Sequence, residues 1–319
     1  MNAFRQSARD GATYILGGPQ VAGPLAVFPV VGPEPRLQYR AFVQAAELGA
    51  LVKEVESGAV VTRLSVENPT DLPLLVYEGE EVLGAQQNRT FDVTALVPAG
   101  ERILVPVSCV ERGRWDHARH REALRPSPQA ADPSLRRTKR ATANATGRID
   151  QNEVWAEVSG RLAEHGVRSE SAAMSDLYDH RRTDLDTLGR ALRHVEGQIG
   201  ALACVAAQPV ALDLVSRADV FAGLLAPLAQ GYALAALGGT ETEPDPRRAE
   251  SFLRSALAAP RRERRTVGLG RAFMLDIGAP IGGGLEHERE LIQLAAFPAE
   301  GAPTRLTPRV VPPSRRRRF

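Results

Sequence analysis

A chain of 319 residues in which 43% are hydrophobic and 24% are charged can build a packed core, so global disorder is excluded. The formal net charge of +2 excludes a general electrostatic attraction to nucleic acid or to an anionic membrane. Only Lys53 and Lys139 of the 40 basic residues are lysines. Because arginine is this common throughout the chain, a single run of arginines is weak evidence for a binding site.

Residues 13–115 are predicted to form a β-rich part, preceded by a disordered N-terminus at 1–12. Apolar runs and apolar–polar alternation, separated by turn residues such as those at 68–71 and 98–101, indicate short successive strands. The predicted strands are 25–31, 60–67, 73–77, 89–97 and 102–110, and a short helix falls within 40–51. Short turns between successive strands favour an antiparallel, sandwich-like arrangement.

Residues 116–148 differ from both neighbouring parts, because they combine many arginines with several prolines and few large apolar residues. This composition predicts a basic, flexible loop. The alternative is a flap that becomes ordered over an anionic ligand.

Residues 149–298 are predicted to mix helices and strands, which makes the whole chain α+β. Asp150 followed by Glu153 is a helix-start signal, since each side chain can bond to the backbone amide near the other. Further predicted helices are 171–179, 185–195, 219–237 and 247–258, and predicted strands are 201–207, 210–215, 267–277 and 290–297, the last two separated by a glycine-rich loop. The tail at 299–319 is predicted to be disordered and rich in arginine.

Three features predict a cytoplasmic protein without a membrane partner. The first residues lack the apolar core of a signal peptide. The stretch 220–240 carries no charge, but its large apolar residues follow one helical face, which favours a buried helix bent near Pro227. Cys109 and Cys204 lie far apart without metal-ligand spacing, which is typical of reduced thiols.

The segment 78–89 has the densest set of polar residues in the chain. It places three carboxylates (Glu78, Glu80 and Glu81), three side-chain amides and Arg89 within 12 residues. Crowded carboxylates raise one another's pKa or bind a cation such as Mg²⁺, and arginine can grip a phosphate with two N–H groups. The alternative is a solvated turn in which Arg89 pairs with one of the glutamates.

A second candidate segment, 108–115, ends the strand that should pair with the strand beginning at Arg89. Antiparallel pairing predicts that Cys109 and Glu111 lie beside residues 88 and 89. No histidine is placed by sequence to activate Cys109, which favours a buried thiol over a nucleophile. Trp115 is predicted either to stack on a ring of a ligand or to pack in the core.

Two weaker signals are assigned no function. Residues 282–284 are three glycines, but no Gly-Lys-Ser/Thr follows them as in a phosphate-binding loop. Asp213 interrupts an apolar strand, and an edge or capping position would explain it.

Three motifs together resemble one prokaryotic family. They are Glu78-Gly-Glu-Glu-Val-Leu-Gly-Ala-Gln-Gln-Asn-Arg89, Val105-Pro-Val-Ser-Cys-Val-Glu111 and Gln151-x-Glu153-Val-Trp155. The chain is similar, over residues 13 to 298, to the ADP-ribosylglycohydrolase- and rhodanese-phosphatase-associated protein family. This resemblance implies an association with ADP-ribose or phosphoester metabolism, and it assigns no reaction.

The leading hypothesis is that the chain binds or processes a small anionic ligand, such as an ADP-ribose-like nucleotide or a phosphoester. Glu80 and Glu81 are the candidate catalytic residues, as a base or as ligands of a divalent ion. The candidate ligand-binding residues are Glu78, Gln86, Asn88, Arg89, Glu111 and Trp115. One rival is a sensor or scaffold without turnover. The other, nucleic-acid binding through the arginine-rich segments, is disfavoured because aromatic residues are few there.

Overall fold

The structure is a computed structural model, and it describes residues 4–7, 13–33, 35–56, 60–276 and 280–299. The strands of this described part are β1 (Phe4–Ser7), β2 (Thr13–Leu16), β3 (Gln20–Ala22), β4 (Leu25–Val31), β5 (Arg40–Ala41), β6 (Leu51–Lys53), β7 (Arg63–Glu67), β8 (Leu74–Val76), β9 (Glu80–Leu83), β10 (Arg89–Phe91), β11 (Ala95–Val97), β12 (Arg102–Cys109), β13 (Ala123–Ala130), β14 (Gln198–Val205), β15 (Gln208–Val215), β16 (Arg261–Arg264), β17 (Arg271–Leu275), β18 (Ile281–His287) and β19 (Glu290–Phe297). The helices are α1 (Phe42–Ala46), α2 (Pro133–Thr146), α3 (Gln151–Glu164), α4 (Met174–His180), α5 (Arg182–Gly189), α6 (Ala218–Ala236) and α7 (Pro246–Ala258), with a 3₁₀ turn at His117–Arg119.

Ten strands form one antiparallel sheet with the order β1-β2-β4-β14-β15-β19-β18-β17-β16, and β3 pairs with the other end of β4. Side chains alternate across its central strands. In β14, Ala201 and Ala203 face the cluster formed with α6, whereas Leu202 and Cys204 face the cluster formed with α7. One face of this sheet is therefore covered by α7, and the other by α6 together with α2, whose Arg136 reaches Asp213 of β15.

A second group of strands closes into a six-stranded barrel with the order β10-β12-β7-β6-β13-β9. Its apolar core includes Val52, Leu64, Val66, Val82, Phe91 and Val105. A small sheet, β11-β8-β5, lies beside it. The α+β class and the mostly antiparallel N-terminal part are confirmed, but these strands close into a barrel instead of a sandwich.

The basic segment at 116–148, predicted to be a flexible loop, is instead largely regular. It contributes β13, which closes the barrel between β6 and β9, and then α2. Asp132 caps α2 by accepting from the amide of Ser134, and Pro133 occupies the first turn, where no amide is needed. Arg136, Lys139 and Arg140 are buried on α2, so the basic residues that suggested a solvated loop have buried partners.

Two further expectations need correction. The glycines at 282–284 lie in strand β18, where a Cβ at Gly284 would come within 2.1 Å of the carbonyl oxygen of Gln293 on the next strand. Residues 4–7, placed in a disordered N-terminus, pair with β2. The rest of the predicted N-terminal segment and 300–319 of the tail lie outside the described residues.

Helix α6 is the one described helix long and apolar enough to span a membrane by length and composition. It packs against the ten-stranded sheet through Val220, Phe221, Leu224 and Leu228. Of its most apolar stretch of 18 residues, 61% is buried inside the protein. The expectation of a buried core helix containing Pro227 is confirmed.

Candidate functional site

The polar segment 78–89 runs along β9 and through the turn into β10, at the side of the barrel that faces α2. Its charged side chains are buried, which rules out the solvated-turn alternative. They do not converge on one point, however. Glu78, the pair Glu80–Glu81, and Arg89 each lie in a different environment.

Glu78 lies under helix α2, where it forms ion pairs with Arg140 and, at 4.0 Å, with Arg136. Burial lowers the pKa of Arg140 to about 10, because the charged form loses water. Oε2 faces Arg140 and Oε1 faces Arg136, so the two guanidinium groups balance the charge of the buried carboxylate. Glu78 thus anchors the helix to the barrel.

Asp213 is the centre of this buried region, and the sequence did not identify it as more than an edge or capping residue. Its carboxylate accepts from Tyr77 Oη at 2.6 Å, from Tyr232 Oη at 2.5 Å and from Arg136 Nη1 and Nη2 at 3.0 and 2.5 Å. We call these four residues the Asp213 cluster. Asp213 lies on β15 in the interior of the sheet, so the signal that could have identified it was a charge within a central apolar strand.

The two candidate catalytic glutamates have separate partners. Glu80 accepts from the amide of Tyr77 at 2.6 Å, and Glu81 accepts from Gln129 Nε2 at 3.2 Å. As neighbours in β9 they point to opposite faces, so they cannot act on one substrate atom as a pair. Burial raises the pKa of each to about 8, which leaves both mostly protonated at neutral pH.

Asn88 and Glu111 lie together, as the predicted strand pairing required. The register pairs Arg89 with Cys109, and Glu111 accepts from the amide of Asn88 at 3.1 Å. Glu111 also holds Arg114 through two bonds of 2.8 and 2.6 Å, and Asn88 Oδ1 accepts from the amide of Gly84 and from Arg114. These contacts stabilise the turn. They use most of the polar atoms of Asn88 and Glu111, which were predicted to bind a ligand.

Arg89 is the exception, because its guanidinium is completely buried yet only partly bonded. Nη1 donates to Gln87 Oε1 at 2.7 Å, whereas Nε and Nη2 have no hydrogen-bond partner among the described residues. These two N–H groups lie on one edge of the guanidinium, and we call them the Arg89 edge. Such an edge can bind a carboxylate or a phosphate through two parallel bonds.

Glu54 lies opposite the Arg89 edge and was not identified from the sequence. Its Oε1 is 3.8 Å from Arg89 Nη2, an ion-pair distance without hydrogen-bond contact. Both of its oxygens are buried and lack a hydrogen-bond partner among the described residues, and burial raises its pKa. Glu54 comes directly after β6, a position that only closure of the barrel brings next to β10.

A short stretch, 112–122, covers this pair, and we call it the cover segment. The ring of Trp115 lies 5.6 Å from Arg89 Cζ, and His117 Nδ1 lies 3.3 Å from Gln86 Nε2. Gln86 Oε1 is buried and unpaired. Trp115 is half-buried and His117 exposed, so the Arg89 edge lies just beneath a partly exposed surface.

Cys109 is a buried thiol bonded to the backbone. Its Sγ lies 3.3 Å from the carbonyl oxygen of Glu111, and its backbone N–H and carbonyl oxygen both bond to the side-chain amide of Gln151, at 2.8 and 2.9 Å. Gln151 therefore continues the hydrogen bonding of strand β12 from the first residue of α3. The prediction that Cys109 is a buried thiol is confirmed.

Two other features of the described residues carry no chemistry. A surface pocket of about 330 Å³ beside Glu54 is lined by charged residues that pair with one another, Lys53 with Glu67 and Arg102 with Glu56. Among the described residues, no group of three or more histidines, cysteines or carboxylates is placed to hold a metal ion. The three glutamates of the polar segment, separated as described, do not share a cation.

A family model described as the ARG and Rhodanese-Phosphatase-superfamily-associated Protein domain (ARPP-1) matches residues 13–297. The chain belongs to this family. The resemblance inferred from the three motifs is thereby confirmed, and the match includes Glu54, Arg89 and the whole cover segment. No curated protein and no solved structure matches the chain.

Most residues of the three motifs have structural contacts in this chain. Most of them join the barrel to its surroundings: Gln151 holds β12, and Ser108 Oγ donates to Asp92 at 2.7 Å, which in turn pairs with Lys139 of α2 at 2.8 Å. Several motif residues keep a buried atom without a hydrogen-bond partner, and Arg89 is the one of them whose guanidinium has two such N–H donors on one edge. The candidate site is therefore the Arg89 edge with Glu54, Gln86 and Trp115 around it.

Proposed function

We propose that this ARPP-1 domain binds a small anionic ligand at the Arg89 edge. An ADP-ribose-like nucleotide or a phosphoester would offer a suitable phosphate group. The observation that carries the proposal is the pair of unpaired N–H groups on a buried guanidinium. An unsatisfied buried donor costs about 1–3 kcal/mol and more when charged, so a partner for these groups is strongly favoured. The association of the family with ADP-ribose and phosphoester proteins supports this ligand class.

The same geometry favours binding without turnover. Glu80 and Glu81 lie on opposite faces of β9, and the thiol of Cys109 is bonded to the backbone. A general base must reach the proton that it removes, and these buried, separately bonded groups face no common space. We therefore propose a ligand sensor as the form of the function, with a cytoplasmic location supported by two buried, unpaired cysteines.

The experiment is a thermal-shift screen of ADP-ribose, NAD, mononucleotides and sugar phosphates, each with and without Mg²⁺. A ligand at 100 times its Kd is expected to add about 2.7 kcal/mol to the free energy of unfolding. Arg89→Lys keeps the positive charge but removes the two-donor edge, so we expect the shift to disappear. Arg102→Lys, on an exposed arginine paired with Glu56, is the matched control and should keep the shift.

Each variant is compared with its own unfolding midpoint without ligand, because a buried substitution changes stability by itself. A shift of equal size in wild type and in Arg89→Lys would contradict the assignment. Absence of a shift for every ligand in the wild type would contradict the proposed function. Unchanged ligand after long incubation with wild type would support a sensor over an enzyme.

A further inference from the structure

The hydrogen-bonding groups around the Arg89 edge are unevenly divided between donors and acceptors. The edge itself supplies two N–H donors, Nε and Nη2. Opposite it lies Glu54, whose two carboxylate oxygens lack a hydrogen-bond partner. The backbone of Gln86 lies next to that carboxylate, and the side-chain Oε1 of Gln86 is a third acceptor without a partner. All three side chains are more than nine-tenths buried. A partner that satisfies the site must therefore both accept from Arg89 and donate to Glu54.

Simple ions do not meet this requirement. A bare phosphate dianion would satisfy Arg89 but would bring further negative charge towards the Glu54 carboxylate, which lies 3.8 Å from Arg89 Nη2. A metal cation would suit Glu54 but would lie against the guanidinium. Like charges at such separations cost several kcal/mol where water is excluded, so both ions are disfavoured.

We propose that the ligand is a hydroxylated anion of the sugar phosphate class, whose phosphate binds the Arg89 edge and whose hydroxyl groups donate to Glu54. The inference rests on the proposed function and adds Glu54 as the residue that determines specificity. A hydroxyl donates well to a carboxylate and carries no charge of its own. The ring of Trp115, 5.6 Å from Arg89 Cζ, offers an apolar face to the carbon skeleton of the sugar.

Access to the site requires movement of the cover segment. Arg114 Nη1 donates to the carbonyl oxygen of Ala85 at 2.7 Å, and the amide of Asp116 donates to that of Gln86 at 3.2 Å. These bonds hold Trp115 over Arg89. The cover segment is also held by the amide of Gly113, which donates to the carbonyl oxygen of Ser171 at 2.6 Å, and by the bonds of Arg114 to Glu111 and Asn88. Binding of a ligand therefore requires the bonds of Arg114 and Asp116 to the 85–88 turn to open.

The test compares ribose 5-phosphate with tetrahydrofurfuryl phosphate, which keeps the ring and the phosphate but lacks the hydroxyl groups. Titration calorimetry on the wild-type protein is expected to give at least about tenfold tighter binding of ribose 5-phosphate, since a hydrogen bond to a charged acceptor is worth roughly that factor or more. Glu54→Gln, which is nearly isosteric, is expected to keep binding of both ligands and to lower this preference severalfold. Glu56→Gln, on the exposed neighbour, should keep the wild-type preference.

The outcomes separate this inference from the proposed function. Equal affinity of the wild type for the two ligands, lost in Arg89→Lys, would overturn the role of hydroxyl groups and leave the anion site in place. A preference unchanged in folded Glu54→Gln would overturn the role of Glu54. Failure of both ligands to bind would overturn this inference, and the thermal-shift screen would then decide separately whether another anion binds at the Arg89 edge. Circular dichroism shows whether Glu54→Gln folds. If it does not fold, the comparison of the two ligands on the wild-type protein alone decides the ligand class.

Discussion

Replacing Asp213 with Ala is expected to lower the free energy of unfolding by about 3–5 kcal/mol, the usual cost of removing one partner from a buried ion pair. The change would leave Arg136 with only the more distant Glu78, at 4.0 Å, as a partner for its buried charge. It would also remove the acceptor of two buried phenol groups, those of Tyr77 and Tyr232. The effect is expected to be large because the four side chains come from two helices, one strand and the turn between β8 and β9, so they join distant parts of the chain. Denaturant unfolding at neutral pH measures it.

A second substitution tests whether the charge or the contacts dominate. Asp213→Ala combined with Arg136→Met removes both charges, so the double variant should lose clearly less stability than the sum of the single variants. Asp179→Asn is the control, since Asp179 is exposed and pairs with Arg182 at the surface. Additive losses for Asp213→Ala and Arg136→Met would contradict direct coupling through the ion pair.

The sequence predicted the elements whose signals are local. The strand at 25–31 and the helices within 219–237 and 247–258 are confirmed with small shifts of their ends. The predicted strands 201–207 and 210–215 do pair as a hairpin, but the turn lies at residues 206 and 207 instead of 208 and 209. Periodicity and turn residues determine these features within a few neighbouring positions. The segment 89–97 was one predicted strand, and its interruption at residues 92–94 follows from Asp92, which turns to pair with Lys139.

Features that depend on contacts between residues far apart in the sequence could not be predicted. The basic residues of α2 suggested a flexible loop, because composition alone does not reveal that they form buried ion pairs. Their partners are Asp92, Glu78 and Asp213. Closure of the barrel likewise brings β13 between β6 and β9, which are distant in sequence. The Asp132-Pro133 pair was a local helix-start signal that the sequence analysis did not use.

The candidate site was predicted in part. Arg89 and Gln86 came from the polar segment, and Trp115 from the second candidate segment, 108–115. The strand pairing predicted for Cys109 is the one that the register confirms. Glu54 was missed because it follows another strand, β6, and no local pattern distinguishes it from the exposed Glu56 two residues later. The crowding of Glu78, Glu80 and Glu81 in sequence suggested mutual repulsion, yet alternation along β9 and the turn before it sends their side chains to different partners.

Glu81→Gln is expected to flatten the dependence of stability on pH. Burial raises the pKa of Glu81 to about 8 in the folded protein, from 4.5 when exposed. Between these values the folded chain holds a proton that the unfolded chain releases, so this group's contribution to the free energy of unfolding is full below pH 4.5 and is lost as pH rises through 8. Each pH unit in this window costs about 1.4 kcal/mol at most, so the wild type should lose roughly 2–4 kcal/mol relative to the variant between pH 5 and 8.

The groups that face Glu81 determine how much of this loss appears. Gln129 donates to its carboxylate and Lys139 of α2 favours its charged form, whereas Asp132 opposes it, and burial outweighs all three. Urea unfolding of wild type and Glu81→Gln at a series of pH values cancels the contributions of all other groups by difference. Glu101→Gln removes one carboxylate from the surface and serves as the control. Parallel curves for wild type and Glu81→Gln would mean that Glu81 is ionised in the folded protein and that Lys139, rather than burial, determines its charge.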